Sequence, residues 1–509
     1  MRTMRRGAPA RVLMVQGTAS YAGKSLLVAA LCRLFAREGL RVAPFKAQNL
    51  SLNACVTPGG GEIGVAQAVQ AHAAGIAPSV EMNPVLVKPE PGGRAQVVVL
   101  GRVRSGPPDR THLWRAITRS LDTLRSRYDL VVLEGAGSPA EINLRRQDLA
   151  NMRVARYAGA PVLIVGDIDR GGVFASLIGT VELLRQDERA LVRGFVINKL
   201  RGDPAALRPG IAALEARTGR PVLGVLPYIP GCRLPEEDAV ALEARPRRPG
   251  PDERARNGGR LDVAIVHLPY ISNFDEFDAL ERDPRVRVRY VRPGEALGRP
   301  DLLILPGSKA TVADLEVLRA SGLDRQVTSL AASGIPVLGI CGGYQMLGEH
   351  IGDPERVESP AAGVPGLGLL RAATVFGRVK RTAQVRARTV RIPWAEDLRP
   401  LELDGYQIHM GRTTAAGAPF LRIVRRGGVP CDEPDGAVSP GGAVVGTSVH
   451  GLMRSPAFRD ALVSALARRR PGRAAAVPCA DLDEIFDDLA GVAARHLDLD
   501  RLRRIIGLA

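Results

Sequence analysis

The chain has 509 residues, 45% of them hydrophobic, 24% charged and 4% aromatic, with a formal net charge of +17. This is the composition of a soluble globular protein with core enough for two or three domains. It excludes a membrane span, since no apolar run reaches the roughly 18 residues one needs. The six cysteines, at 32, 55, 232, 341, 431 and 479, form no C-x-x-C pair. They read as reduced thiols of a cytoplasmic protein, not as a disulfide framework or a zinc site. Met1–Arg11 is basic, but no long hydrophobic segment follows it, so no signal peptide is expected. The arginines are dispersed, and their densest clusters, Arg245–Arg248 and Arg468–Arg473, are not interleaved with aromatics. The charge therefore suits an anionic small molecule, a polycarboxylate or a nucleotide, with no nucleic acid and no membrane as partner.

In chain order, the apolar stretch Arg11–Gln16 predicts a strand. A loop Gly17-Thr-Ala-Ser-Tyr-Ala-Gly23-Lys24-Ser25 and a helix over Leu26–Glu38 follow. Strand, glycine-rich loop, Gly-Lys-Ser and helix make a P-loop. Its backbone N–H groups wrap phosphates, Lys24 neutralises the β and γ oxygens, and Ser25 can hold Mg²⁺. The loop departs from the strict pattern, because Thr18 stands where the first glycine is usual. Lys46-Ala-Gln-Asn49 ends the next strand and opens a long insertion to about Pro89, with Glu62 in a glycine-rich turn. Further strands are expected at Leu130–Leu133, Pro161–Val165, Arg193–Ile197 and Val222–Leu226, with helices between, which implies a parallel sheet. Ligands bind at the carboxyl ends of such strands. The informative residues are then Glu134, a candidate Mg²⁺ acid, the Asp167–Asp169 stretch, and Asn198 with Lys199, candidates for reading a nucleotide base.

Residues 241–260 are rich in proline, glycine and charge and read as a linker. Strands at Leu261–Leu268, Val286–Val291, Leu302–Leu305 and Val337–Ile340 then predict a second α/β domain. The last runs into Cys341-Gly-Gly and a helix from Tyr344 to Glu349, the layout of a nucleophile elbow with sulfur for oxygen. The helix N-terminus favours a thiolate, and the Gly342 N–H with one from the Pro306-Gly307 loop forms the expected oxyanion hole. His450, at the end of the strand Val444–Val449, is the expected base. His409 is its main rival, with His267 and, on the elbow helix, His350 behind it. The C-terminal stretch 471–509 has apolar residues at near-helical spacing and is expected to pack on the second domain. A cysteine elbow can release ammonia from glutamine, and a P-loop half can use ATP to activate a carboxylate, so the two together suggest a glutamine-dependent amide ligase.

Long stretches carry a resemblance. They include KAQNLSLNACVTPGGGEIGVAQAVQAHAAG at 46–75, EGAGSPAEINL at 134–144, GDIDRGGVFAS at 166–176, LPEEDAV at 234–240, ISNFDEFDAL at 271–280, GICGGYQMLG at 339–348, GYQIHMG at 405–411 and SVHGL at 448–452. On these the chain resembles the cobyric acid synthase family of glutamine-hydrolysing amidotransferases. The resemblance implies a dethiobiotin-synthetase-like P-loop domain (1–240), a linker (241–260), a class I glutamine amidotransferase-like α/β domain (261–470) and a helical tail (471–509). It implies ATP, Mg²⁺ and glutamine, and a corrinoid substrate amidated at its b, d, e and g carboxylates. It implies Cys341 as thioester nucleophile and His450 as its base. Thr18, Gly23, Lys24 and Ser25 would form the phosphate clamp, and Lys46 would face the γ-phosphate. Glu62 and Glu134 would hold Mg²⁺, and Asp169 would lie near the activated carboxylate. Typical class I enzymes place a glutamate two residues after the histidine. Here Leu452 stands there, so the group that orients His450 is not identified. The rivals are the sister enzyme that amidates the a and c carboxylates and, in another class, a P-loop partition or switch ATPase.

Overall fold

The computed structural model of the protein describes residues 9–104, 106, 109–230, 234–235, 237, 259–390, 400–469 and 482–508. The expected linker therefore lies outside the described residues apart from Gly259 and Arg260.

In the first half, six parallel strands stand in the order Val222–Pro227, Val192–Leu200, Val162–Asp167, Arg11–Gly17, Leu130–Glu134, Val42–Phe45. Nearly continuous apolar runs form them because both faces are covered by helices. The strand before the P-loop is central, and its neighbours are Leu130–Glu134 and Val162–Asp167. That order brings the carboxyl ends of three separate sequence segments to one place. The long insertion, which shows little period, folds as short strands: Gln48–Leu50 joins a small sheet with Val85–Pro89, Ala95–Val99 and Arg102–Val103, and Ala54–Val56 pairs with Glu62–Gly64. Three-residue strands are too short for an alternation to register in sequence.

The second half has a sheet ordered Val286–Val291, Leu261–Val266, Leu302–Leu305, Val337–Ile340, Val444–Thr447, Ala437–Val438, parallel but for the last. The elbow strand lies between Leu302–Leu305 and Val444–Thr447, with Leu305 paired to Gly339 and Ile340 to Thr447. This register sets the Pro306-Gly307 loop on one flank of Cys341 and His450 on the other. A third sheet, built on the long strands Ala372–Thr389 and Glu402–Ala415, covers the site. His350 opens the short strand His350–Gly352 of that sheet and is not on the elbow helix, which spans Gly342–Leu347.

The halves meet through Ala54, Val56, Leu86 and Val98, packed on Tyr406 and Ile408. Glu62 lies at the same junction. Lys88 and Lys380 take its carboxylate at 2.5 Å and 2.6 Å, the latter from the second half. Burial alone would raise the Glu62 carboxyl, but these two lysines hold it at about 2. Glu62 thus ties the halves together. In this structure its carboxylate meets lysines from both halves, the company in which the proposed metal ligand stands.

The C-terminal helices Leu482–His496 and Leu499–Ile506 correct a second expectation. They pack on the first half: Phe486, Leu489, Leu502 and Ile506 join Leu27, Leu31 and Phe35 in one core. Arg33 pairs with Asp483 at 3.1 Å and Asp487 at 2.6 Å, and the Asp498 N–H donates to Leu223 O at 2.7 Å. Helical spacing tells that a face is buried, not against what. Ending the chain before Leu482 is expected to destabilise the first half, because each large side chain contributes about 1.5–3 kcal/mol on burial. Limited proteolysis with mapping of cut sites checks it, and cuts confined to the second half would contradict it. Among the described residues, no helix is long and apolar enough to cross a membrane.

Candidate active site

At the P-loop, Gly23 caps the helix Lys24–Arg37 at φ 102°, a conformation open to glycine. A β-carbon there would stand 2.0 Å from Asn198 Nδ2. Asn198 Nδ2 donates to Ala22 O at 3.0 Å, and Lys199 Nζ donates to Tyr21 O and pairs with Asp167, both at 2.7 Å. Both residues brace the loop from Val192–Leu200, one strand beyond the neighbouring Val162–Asp167. Lys24 Nζ bonds the carbonyls of Ala19 (2.9 Å) and Gly137 (3.0 Å). Burial lowers Lys24 to about 8, partly offset by Glu134. The Thr18 N–H donates to Val165 O at 2.9 Å, which seats the loop on the sheet.

Ser25 Oγ donates to Glu134 Oε1 at 2.8 Å, and Lys46 Nζ reaches the same oxygen at 3.0 Å. Burial alone would raise the Glu134 carboxyl. Lys46, hydrogen bonds from Gln70 and Ser25, and the charge of Lys24 hold it below the ordinary carboxylate range. Lys46 also pairs with Glu237 at 2.7 Å, and Asn49 Nδ2 donates to Glu237 at 2.9 Å. Glu237 and Gln70 were not singled out in sequence. Glu237 comes from LPEEDAV, far along the chain, and Gln70 sits on a helix face that reads as core. Asp169 lies apart on the surface, paired with Arg201 at 2.7 Å. Ser25 Oγ and the Glu134 carboxylate converge as hard oxygen donors beside the phosphate loop, a set that fits Mg²⁺.

In the second half, Cys341 sits at φ 51°, ψ −106°, with its N–H donating to Thr447 O at 2.8 Å. A positive φ at a residue other than glycine is the strain of a nucleophile elbow, held here by the sheet on both sides. A β-carbon on Gly342 would fall 2.7 Å from Ser308 N, and one on Gly307 2.9 Å from His450 Cε1. The two loops and the imidazole therefore abut, and only glycine fits between them.

His450 and Glu276 are fully buried, and the ring Nδ1 lies 2.9 Å from Glu276 Oε1. The Gly451 N–H donates to Glu276 Oε2 at 3.1 Å. Tyr406 stacks on the ring at a centroid distance of 5.2 Å. With Nδ1 committed to Glu276, Nε2 is left for Cys341. Burial alone would lower His450, but the Glu276 carboxylate and its pairing with Cys341 raise it to about 10. His409 differs: burial lowers it to about 4, and its Nδ1 is spent on Gly411 O at 2.6 Å. It lines a cleft of about 280 Å³ with Arg381, Arg412 and Arg426. Ile408, next to His409 in the chain, has its carbonyl 4.0 Å from Cys341 Sγ.

Glu276 is the orienting acid left open by Leu452. It comes from ISNFDEFDAL, after the first strand of the domain, and not from the vicinity of the histidine. The available signal was an acid between Phe274 and Phe277, both buried. A nucleophilic thiol, an imidazole and a buried carboxylate in line can form and hydrolyse a thioester.

Residues 13–239 match the family described as the CobQ/CobB/MinD/ParA nucleotide binding domain, and residues 262–458 the CobB/CobQ-like glutamine amidotransferase domain. A cobyric acid synthase of Sorangium cellulosum is 52% identical over 98% of this chain and 99% of its own length. Relatives of the same name from Moorella thermoacetica and Pelotomaculum thermopropionicum are each 48% identical, over 98% of this chain and 98% and 97% of theirs. With both halves matched in one continuous alignment, the chain belongs to the cobyric acid synthase family.

Proposed function

We propose that the chain uses ATP and glutamine to convert the b, d, e and g carboxylates of adenosylcobyrinic acid a,c-diamide into amides. The observation that carries this is one chain holding both a Cys341–His450–Glu276 line and a Lys24–Lys46–Glu134 phosphate site, docked on each other. The Cys341 thiolate attacks the side-chain carbonyl of glutamine, and the N–H groups of Gly342 and the Gly307 loop receive the oxyanion. His450 gives its proton to the leaving nitrogen, so ammonia departs and a thioester remains. Water then attacks the thioester, with His450 as base, and glutamate leaves. The arginines of the neighbouring cleft suit the α-carboxylate of glutamine.

In the other half, a corrinoid carboxylate attacks the γ-phosphorus of ATP. ADP leaves, and ammonia displaces phosphate from the acyl phosphate. Lys24, Lys46 and the Thr18 loop hold the transferring phosphoryl group. Ser25 and Glu134 would hold Mg²⁺, which neutralises phosphate charge when bound. Asn198 and Lys199, which brace the P-loop, are the candidates for nucleotide contacts, and Asp169, on the surface beside Arg201, is a candidate for contact with the corrinoid. The excess of arginine suits a polycarboxylate corrinoid, with no nucleic acid or membrane as partner and a cytoplasmic setting. Counting amides by mass spectrometry, with each corrinoid offered in turn, tests the assignment. Amidation of cobyrinic acid at a and c would favour the sister enzyme. ATP hydrolysis with no amide formed would favour a switch ATPase.

Glu276→Gln keeps the shape of the orienting residue and removes its charge. The prediction is a fall of roughly 10²–10⁴ in glutamine hydrolysis. The sign of the His450 shift follows. Glu276 and Cys341 raise it above 6.5 to about 10 against burial, so without the carboxylate the imidazolium loses its proton at lower pH. An NMR titration of the ring that does not move downward would contradict this role.

A further inference from the structure

Two asparagines face each other across the junction of the halves. Asn53 is 0% exposed and Asn273 2%. They exchange backbone contacts: Asn273 Oδ1 accepts from the Ala54 N–H at 3.0 Å, and Asn53 Oδ1 accepts from the Phe274 N–H at 3.2 Å. A buried amide atom is costly to leave unsatisfied, so these bonds fix which way each side chain points. With Oδ1 of Asn273 held by the first half, its Nδ2 is turned to the other side. There it lies 3.5 Å from His450 Nε2, the nitrogen that faces Cys341. Asn273 sits at φ 55°, a left-handed conformation that asparagine tolerates better than most residues. It immediately precedes the short helical turn Phe274–Phe277, which carries Glu276 on the opposite ring nitrogen. One turn thus lies against both nitrogens of the base: the Asn273 Nδ2 can donate to Nε2 once that nitrogen has given up its proton, and its placement is set by backbone from the other half.

The other end of the contact is equally tied. The Asn53 carbonyl accepts from Ser51 Oγ at 2.8 Å and from the Val65 N–H at 3.3 Å. Ser51 Oγ also bonds the Glu237 carbonyl, and Asn49 bonds the Glu237 carboxylate that pairs with Lys46. Val65 opens the helix whose Gln70 bonds Glu134. Residues 46–54 are therefore held at one end by the phosphate site and at the other by the turn that grips His450.

We propose that Asn53 and Asn273 form a positioning clasp through which the ATP half completes the placement of the base in the glutaminase half, an inference that rests on the reading of Cys341 and His450 above. Neither asparagine reacts. Asn273 limits how the ring turns beside Cys341, and Asn53 and the Ala54 N–H hold Asn273. The glutaminase is complete only when residues 46–54 are seated, so ammonia release is bound to the state of the site that consumes it.

The test is glutamine hydrolysis by the full chain as wild type, Asn53→Ala, Asn273→Ala and the double variant, with ammonia-supported amidation of adenosylcobyrinic acid a,c-diamide measured beside it. Each single variant is expected to lower kcat about tenfold with KM held within about twofold. The double variant is expected to be no worse than either single one, as for two parts of one device. Ammonia-supported amidation is expected to stay within about twofold throughout, since the clasp acts on the base alone. Asn53→Ala is decisive because it removes, from the ATP half, the acceptor that holds the Phe274 N–H of the turn carrying Asn273 and Glu276. An unchanged kcat in Asn53→Ala, additive losses in the double variant, or a parallel fall in ammonia-supported amidation would each overturn the clasp. Cys341→Ala separates the two levels: persistent hydrolysis there overturns the underlying nucleophile, whereas lost hydrolysis there with an unaffected Asn53→Ala overturns the clasp alone.

Discussion

Replacing Cys341 by serine is expected to abolish amidation driven by glutamine and to leave amidation driven by added ammonia near the wild-type rate. Serine fills almost the same space, so the elbow at φ 51° and the N–H bond to Thr447 O stay in place. What is lost is acidity. A hydroxyl is far harder to ionise than a thiol, and an imidazolium already stabilised by Glu276 does not draw its proton away. A fall of roughly 10³-fold or more in glutamine hydrolysis is the expected magnitude. The ATP half shares none of these atoms: its lysines and Glu134 stand on a different sheet. Parallel rate measurements with the two nitrogen sources make the check. Loss of both activities would sink the division of labour, and survival of glutamine-driven amidation would sink the nucleophile.

Lys24→Ala is expected to remove amidation from either nitrogen source. Lys24 is almost wholly buried, bonded to two loop carbonyls and lowered to about 8 by that burial. A cation held at such cost in a dry loop gains most when a phosphate arrives, because the same low dielectric that penalises it alone strengthens the pair. Alanine leaves the loop without that charge, and a fall of roughly 10³-fold or more is expected. Glutamine hydrolysis should remain measurable, because Cys341, His450 and Glu276 are untouched. Product formation with ammonia at rates near wild type would contradict the role given to Lys24. Together the two variants separate nitrogen supply from carboxylate activation.

The residues legible in sequence are those whose chemistry depends on neighbours in the chain. Lys24 and Ser25 follow a glycine at a strand–helix turn, and Cys341 stands between a strand and two glycines. His450 and Glu134 sit at strand ends, and the α/β class follows from strands alternating with helices. Each is set by local backbone geometry, which short spacings record. Glu62 reads in sequence as a carboxylate in a glycine-rich turn beside a nucleotide site, which suits a metal ligand but says nothing of its ion pairs. Only the approach of Lys380, more than three hundred residues later, shows what its charge meets.

The amino-acid order by itself determined two α/β halves, a phosphate loop and a cysteine elbow, because these are written in contiguous runs. Tertiary structure alone decided the company those residues keep. It placed Glu276 on His450, Glu237 on Lys46, and the C-terminal helices on the first half. It also set Asn53 against Asn273. The physical reason is range. Turn geometry and helix start are fixed over a few residues, whereas desolvated ion pairs and buried hydrogen bonds join whatever the folded chain brings within about 3 Å, at any separation in sequence.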